Sequence, residues 1–269
     1  MAASPARLRA IAALVRRDYA VTRSYRLTFY MDIGLGVVDL CIYYFISETF
    51  PQQRADLGGA PSYFAFAAVG LAMTIVIGAT STQLAQRVRE EQLTGTLEAL
   101  TLQPLSAGEL SLGMGGLPFL FAMVRVAVYL LVAGTLLGVS FAGADWLGFA
   151  VVLAASAVSL SGIGIALGGL VIVVKRGAVV ATLLTFLLGL LGGAFFPVSV
   201  LPDWLEAIGK VVPTRFAFDG LRAALYRGGD WQGDAAALAA IGIVTLPLAV
   251  WLFGAALAYG RRSGTLVQY

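Results

Sequence analysis

Three charged residues fall inside long apolar runs: Asp32 and Asp39 in the first run and Arg125 in the third. An unpaired charge in hydrocarbon costs at least about 2.5 kcal/mol, so each needs a counter-charge or water. Two chemistries fit them. One is an ion pair that staples two helices, and the other is direct binding of an ion or a charged substrate. Asp39 lies about 12 residues beyond Leu27 and Arg125 about 12 beyond Gly113, which at 1.5 Å per residue places both about 18 Å deep. The matched depth predicts an Arg125–Asp39 pair between the first and third runs. Asp32, on nearly the same helix face but nearer the surface, is the second choice.

Other chemistry-bearing groups are scarce. Histidine is absent, which removes the Ser-His dyad, His-based zinc sites and the usual haem ligand. A phosphate-binding loop ends in Gly-Lys-Ser/Thr, yet the only lysines are Lys175, before Arg176, and Lys210, before Val211. The chain therefore carries no nucleotide-binding motif of this kind. Gly162-Ile163-Gly164 sits inside an apolar run with no strand before it and reads as helix packing. Cys41 is the only cysteine, so no intramolecular disulfide forms.

The elements that must hold these residues are membrane helices. Of 269 residues, 59% are hydrophobic and 12% charged, with a mean hydropathy of +0.87, whereas soluble domains carry roughly 25% charge. A helix needs about 20 mostly apolar residues to cross the bilayer. Six stretches qualify: Leu27 to Ser47, Ser62 to Gln83, Leu112 to Ala142, Trp146 to Val174, Ala178 to Phe196 and Ala235 to Gly260. Their continuity predicts helices, not the alternating strands of a barrel. The expected fold is thus an all-α integral membrane protein with six transmembrane helices.

Basic residues set the expected orientation. Arg7, Arg9, Arg16, Arg17, Arg23, Arg26, Arg87, Arg89, Lys175, Arg176, Arg261 and Arg262 flank one side; Arg54, Lys210, Arg215, Arg222 and Arg227 flank the other. Twelve against five predicts both termini in the cytoplasm. The first run, interrupted by Asp32 and Asp39, reads as a retained helix and not a cleaved signal. Residues 1–26 form a separate unit ahead of the permease domain, 27–269. From Pro5 to Arg26 apolar residues recur at helical period, opposite Arg9, Arg16 and Arg23, as in an amphipathic helix at the inner interface.

Two polar connections stand out. Between the second and third spans, Thr94 or Thr96 is placed to cap a short helix in which Leu97 and Leu100 share a face and which Pro104 limits. Such a helix suits transmission of a push across the membrane surface; an ordinary connecting loop fits the same residues. After the fifth span, Trp204, Ile208 and Val212 repeat every fourth residue behind Pro202-Asp203, and Phe218, Leu221 and Leu225 follow Pro213-Thr214. These predict two short helices that rest on the outer leaflet, as a re-entrant hairpin or a simple external cap. Gly164 with Gly168 and Gly189 with Gly193 mark close helix approach, within the chain or between copies.

The stretch Arg89-Glu90-Glu91-Gln92-Leu93-Thr94-Gly95-Thr96-Leu97-Glu98-Ala99-Leu100, followed by Gln103-Pro104-Leu105-Ser106, resembles the signature of ABC type 2 permeases. These are the membrane subunits of many ATP-binding-cassette exporters. Gly193-Ala194-Phe195-Phe196-Pro197, with Leu201 to Leu205 and Pro213 to Arg222, is similar to that family's outer loop. The resemblance implies that two copies pair as a homodimer and that each docks a separate ATPase subunit carrying ATP and Mg, with no cofactor in this chain and no nucleic acid partner. Arg87, Arg89, Glu90, Glu91, Thr94, Gly95, Thr96, Glu98, Leu100 and Pro104 would then form the coupling-helix contact with that subunit. Phe195, Phe196, Pro197, Pro202 and Trp204 would form an extracellular re-entrant gate. The implied function is export of a hydrophobic or amphipathic substrate, drug-like or lipid-linked, across the inner (plasma) membrane. A lipid-linked polysaccharide is the alternative cargo, and an ion-coupled carrier or channel using Asp32, Asp39 and Arg125 is the alternative class.

Overall fold

The computed structural model describes residues 12–13, 15–20, 23, 26–49, 57–103, 105–174, 176–227 and 229–263. Most of the expected interfacial helix, together with Pro104, Lys175 and the C-terminal tail, lies outside the described residues; residues 15–20 are helical. Among the described residues the regular elements are all helical. Among those residues five helices are long and apolar enough to cross a membrane, and this is a multi-pass membrane protein.

Helix α1 spans Arg26–Thr49. Ser62 then caps α2, Tyr63–Ile77, by accepting the Ala65 amide at 3.1 Å. A π-helical turn, Gly78–Thr82, joins α2 to α3, Gln83–Leu93, so the second span and the polar residues after it form one continuous rod. The chain reverses at Gly95, whose φ of 73° lies in the left-handed region that favours glycine. Neither threonine caps α4, Thr96–Thr101: the Thr94 hydroxyl donates back to the Glu90 carbonyl and the Thr96 hydroxyl to Glu91.

Helix α5, Ala107–Thr135, starts five residues earlier than its apolar run suggests. A reciprocal capping box between Ser106 and Glu109 satisfies the first amides and adds a polar turn. Helix α6, Trp146–Val173, is capped by Asp145. The Gly148 amide and the Trp231 indole N–H both donate to that carboxylate and hold its pKa below the usual range.

The fifth expected span is shorter than predicted. Helix α7, Gly177–Leu191, has 15 residues, about 22 Å of rise against a hydrocarbon core of about 30 Å. Gly192 and Gly193 end it, the latter at φ 90°. Residues up to Phe196, expected inside the span, instead form a turn. Short helices α8, Asp203–Gly209, and α9, Pro213–Arg222, follow, and α10, Gln232–Ser263, closes the fold.

Helices α6 and α10 form the most extensive pair. Lipid gives little hydrophobic drive to such association, so small residues and shape must supply it. Gly164 lies against the backbone of Thr80 and Ser81 in the π-turn, and Gly168 against Phe253, Val88 and Leu84. This glycine pair therefore packs within the chain. One apolar core sits around α3, α4 and the near ends of α6 and α10, and a second around α2, α9 and the far ends.

Candidate functional site

Arg125 pairs with Asp32, Nη2 to Oδ2 at 2.5 Å, and not with Asp39. The reason is register. Helices α1 and α5 run side by side with Asp32 beside Arg125; one turn further on, Gly36 lies against the Tyr129 hydroxyl, which also donates to the Asp32 carbonyl at 3.4 Å. Both neighbours differ by the same sequence offset, so Asp39 sits two turns beyond Arg125. Depth counted from the run ends missed this because α1 begins level with the middle of α5. An arginine on α5 also leans toward its helix N-terminus, toward Asp32. Asp39 is exposed on α1 and has no hydrogen bond or ion pair among the described residues.

The pair borders a cavity of about 540 Å³ between three helices. Phe29 and Asp32 come from α1, Arg87 and Glu90 from α3, and Phe121 and Arg125 from α5. The spacings explain the convergence: Arg87 and Glu90 share the polar stripe of α3, and Phe121 lies one turn before Arg125. The rings of Phe29 and Phe121 are 5.0 Å apart, and the Arg125 guanidinium lies 5.7 Å from the Phe29 ring centre.

Below this cavity, α3 and α4 form a turn held to the rest of the chain by charge. Arg17 donates to Glu91 at 2.7 Å and pairs with Asp18 at 2.9 Å. Burial opposes the Arg17 charge, but the hydrogen bonds to Asp18 and Glu91 and the attraction of their negative charges together outweigh it and raise the pKa. Arg87 approaches Asp18 and Glu90 at 4.0 Å each. Glu91 is buried, and Leu97 and Leu100 are buried in the core beneath α4. Arg261 from α10 donates to the Thr101 carbonyl at 2.5 Å. Of the expected contact residues, Glu91 and Leu100 thus face inward, Arg87, Arg89 and Gly95 are half-buried, and Glu90, Thr94, Thr96 and Glu98 are exposed. Leu93 and Leu102 flank that outer surface and are mostly exposed.

At the opposite end, Arg222 is the largest fully buried side chain among the described residues. Its Nη2 donates to the carbonyls of Phe66 at 3.2 Å, Gly193 at 2.9 Å and Ala194 at 3.3 Å, and its guanidinium stacks 3.4 Å from the Phe66 ring centre. Burial pushes its pKa down to about 9, so it stays charged at neutral pH. Phe195, Phe196 and Pro197 are half-buried, with Tyr43 stacked on Phe195 at 5.7 Å and the Tyr63 hydroxyl on the Phe195 carbonyl at 3.0 Å. Pro202 and Trp204 are exposed. The burial of Arg222 was not read from the sequence. The available signal is its position within the apolar stripe Phe218, Leu221, Leu225, where a cation must find backbone partners.

The family model for ABC-2 type transporters matches residues 9–226. The chain belongs to that family. The match takes in the α3–α4 turn, the cavity and the Arg222 anchor, and ends before α10. A search of curated proteins finds no significant match. As an ABC-2 protein the chain is the transmembrane component of an ABC transporter, and in this family ATP hydrolysis resides in a nucleotide-binding subunit.

The Asp32–Arg125 pair of this ABC-2 subunit is accessible to a double-mutant cycle. Asp32→Asn and Arg125→Gln should couple by about 0.5–3 kcal/mol, read from unfolding in detergent, because either change alone leaves one charge without its partner. The corresponding Asp39/Arg125 cycle should give a coupling near zero.

Proposed function

We propose that the chain is the membrane half of an ATP-driven exporter that moves a hydrophobic or amphipathic substrate out of the cell, energised by a separate ATPase subunit. In this reading it lies in the inner (plasma) membrane with both termini cytoplasmic, because the α3–α4 turn shares its side with Arg17, Arg261 and most other basic residues. The segment 1–26 is then the interfacial unit ahead of the permease domain. Six crossings require α7, extended by its following turn, to serve as the fifth.

The observation that carries the proposal is the α3–α4 turn. Its outer surface presents Glu98 between exposed Leu93 and Leu102, while its inner surface is tied to α10 through Arg261 and to residues 17–18 through Glu91 and Arg87. A force on α4 would therefore reach both. In this reading the α8–α9 segment, anchored by Arg222, closes the outer side. Asp39 supports a second copy: this exposed carboxylate amid the apolar surface of α1 has no ion pair among the described residues and needs a partner or water.

The test is co-purification with the ATPase subunit. Glu98→Lys should weaken that association about tenfold, equivalent to about 1.4 kcal/mol, while leaving the permease folded, since exposed charges seldom hold a bundle together. Unchanged association would remove α4 from the interface.

A further inference from the structure

We infer that the cavity between α1, α3 and α5 is a binding site for an amphipathic cation entering from the cytoplasmic leaflet. The inference rests on the exporter reading for its direction, while the site itself stands on the geometry. Its volume of about 540 Å³ falls within the roughly 300–1,000 Å³ of drug-sized ligand sites.

Depth comes first. Gly116 on α5 lies next to Val15 of the N-terminal helical segment, and Arg125 is nine residues further on, about 13 Å along the helix. A ligand in the cavity would thus reach from the surface segment into the acyl region, which calls for a molecule with both a polar and an apolar part. Phe29 and Phe121 give it an aromatic wall.

The sign of its charge follows from which groups remain accessible. The wall holds two carboxylates and two guanidiniums, so net charge does not decide. The side chains of Asp32 and Glu90 are 42% and 66% exposed, those of Arg125 and Arg87 only 19% and 26%. Asp32 uses one oxygen for Arg125 and has no hydrogen bond on the other among the described residues. Glu90 reaches Arg87 only at 4.0 Å, beyond hydrogen-bond range. Arg125 donates through Nη2 to Asp32 and lies over Phe29, and its Nε is sealed from solvent. An incoming anion would meet two carboxylates more exposed than either guanidinium. A cation finds the open oxygen of Asp32 against an aromatic face, with the exposed Glu90 carboxylate drawing it in.

The experiment uses the purified full-length chain in lipid nanodiscs without any ATPase subunit, and two probes of one shape and opposite charge, tetraphenylphosphonium and tetraphenylborate. Saturable binding above protein-free nanodiscs is measured by equilibrium dialysis. The expected result is at least about tenfold preference for the phosphonium. Glu90→Gln, at an exposed side chain where folding is not at stake, should weaken it about fivefold, and Phe121→Leu should weaken it as well. The double variant Asp32→Asn/Arg125→Gln removes both charges together and should abolish saturable binding in a folded protein. Equal or better binding of the borate, no saturable binding of either probe, or phosphonium binding unchanged in all three variants would overturn the inference. Binding as expected, in a protein that never stimulates an ATPase subunit, would instead uphold the site and count against the exporter reading.

Discussion

Arg222→Met is expected to destabilise the protein by about 3 kcal/mol. The substitution fills similar volume but leaves the carbonyls of Gly193 and Ala194 without their donor in a fully buried place, and takes a second hydrogen bond from the Phe66 carbonyl, which keeps its helical donor within α2. Each buried acceptor so orphaned costs about 1–3 kcal/mol, and the stacking on Phe66 is lost as well. Relief of the cation's own desolvation offsets part of this. The three carbonyls belong to α2 and to the turn after α7, so the loss should loosen the α8–α9 segment before the rest. Arg215→Met is the control: that side chain is partly exposed and paired with Asp219 at 3.2 Å, an interaction worth at most about 1 kcal/mol. Thermal unfolding in detergent and limited proteolysis of residues 197–212 read the difference. Equal behaviour of the two variants would contradict the role given to Arg222.

The second large effect concerns Gly164. A Cβ there would overlap the backbone carbonyl of Thr80, which has no rotamer by which to retreat. Helix α6 and the π-turn must then separate, and overpacking costs typically about 1–3 kcal/mol, more when backbone must move. Gly164→Ala should therefore fall at or above the upper end, and Gly164→Val should prevent recovery of folded protein. Gly115 in α5 offers the contrast, since nothing lies near its Cβ position. There Gly→Ala should be neutral or stabilising by up to about 1 kcal/mol through helix propensity. Comparable losses at both positions would mean that the close crossing at Gly164 does not hold the fold.

Much of this architecture was legible in the residues because the bilayer imposes a length. Four of the six expected spans appear as long apolar helices whose bounds shift only by caps and turns, as where Ser106 and Glu109 lengthen α5 and Gly138, at φ 74°, follows its end. A fifth, the second run, was cut too short. Gln83–Leu93 reads as polar connection by composition, yet it continues the helix because its apolar members, Leu84 and Val88, face the core.

Relations between helices were less legible. The Asp32–Arg125 pair depends on the register of α1 against α5, which no single run contains. The inward turn of Glu91 and Leu100 depends on residues 17–18, α10 and the core closing over α4. Sequence thus marked the α3–α4 turn as a place of interest but not which of its side chains remain outside.

We propose that a separate ATPase subunit energises this ABC-2 permease through the exposed face of α4. ATP hydrolysis by that subunit, measured in proteoliposomes with and without the permease, tests it most directly. The wild-type permease should raise the rate, and Glu98→Lys should remove most of the increment while the variant elutes as folded protein. A rate that is the same with no permease, with wild type and with Glu98→Lys would contradict the account.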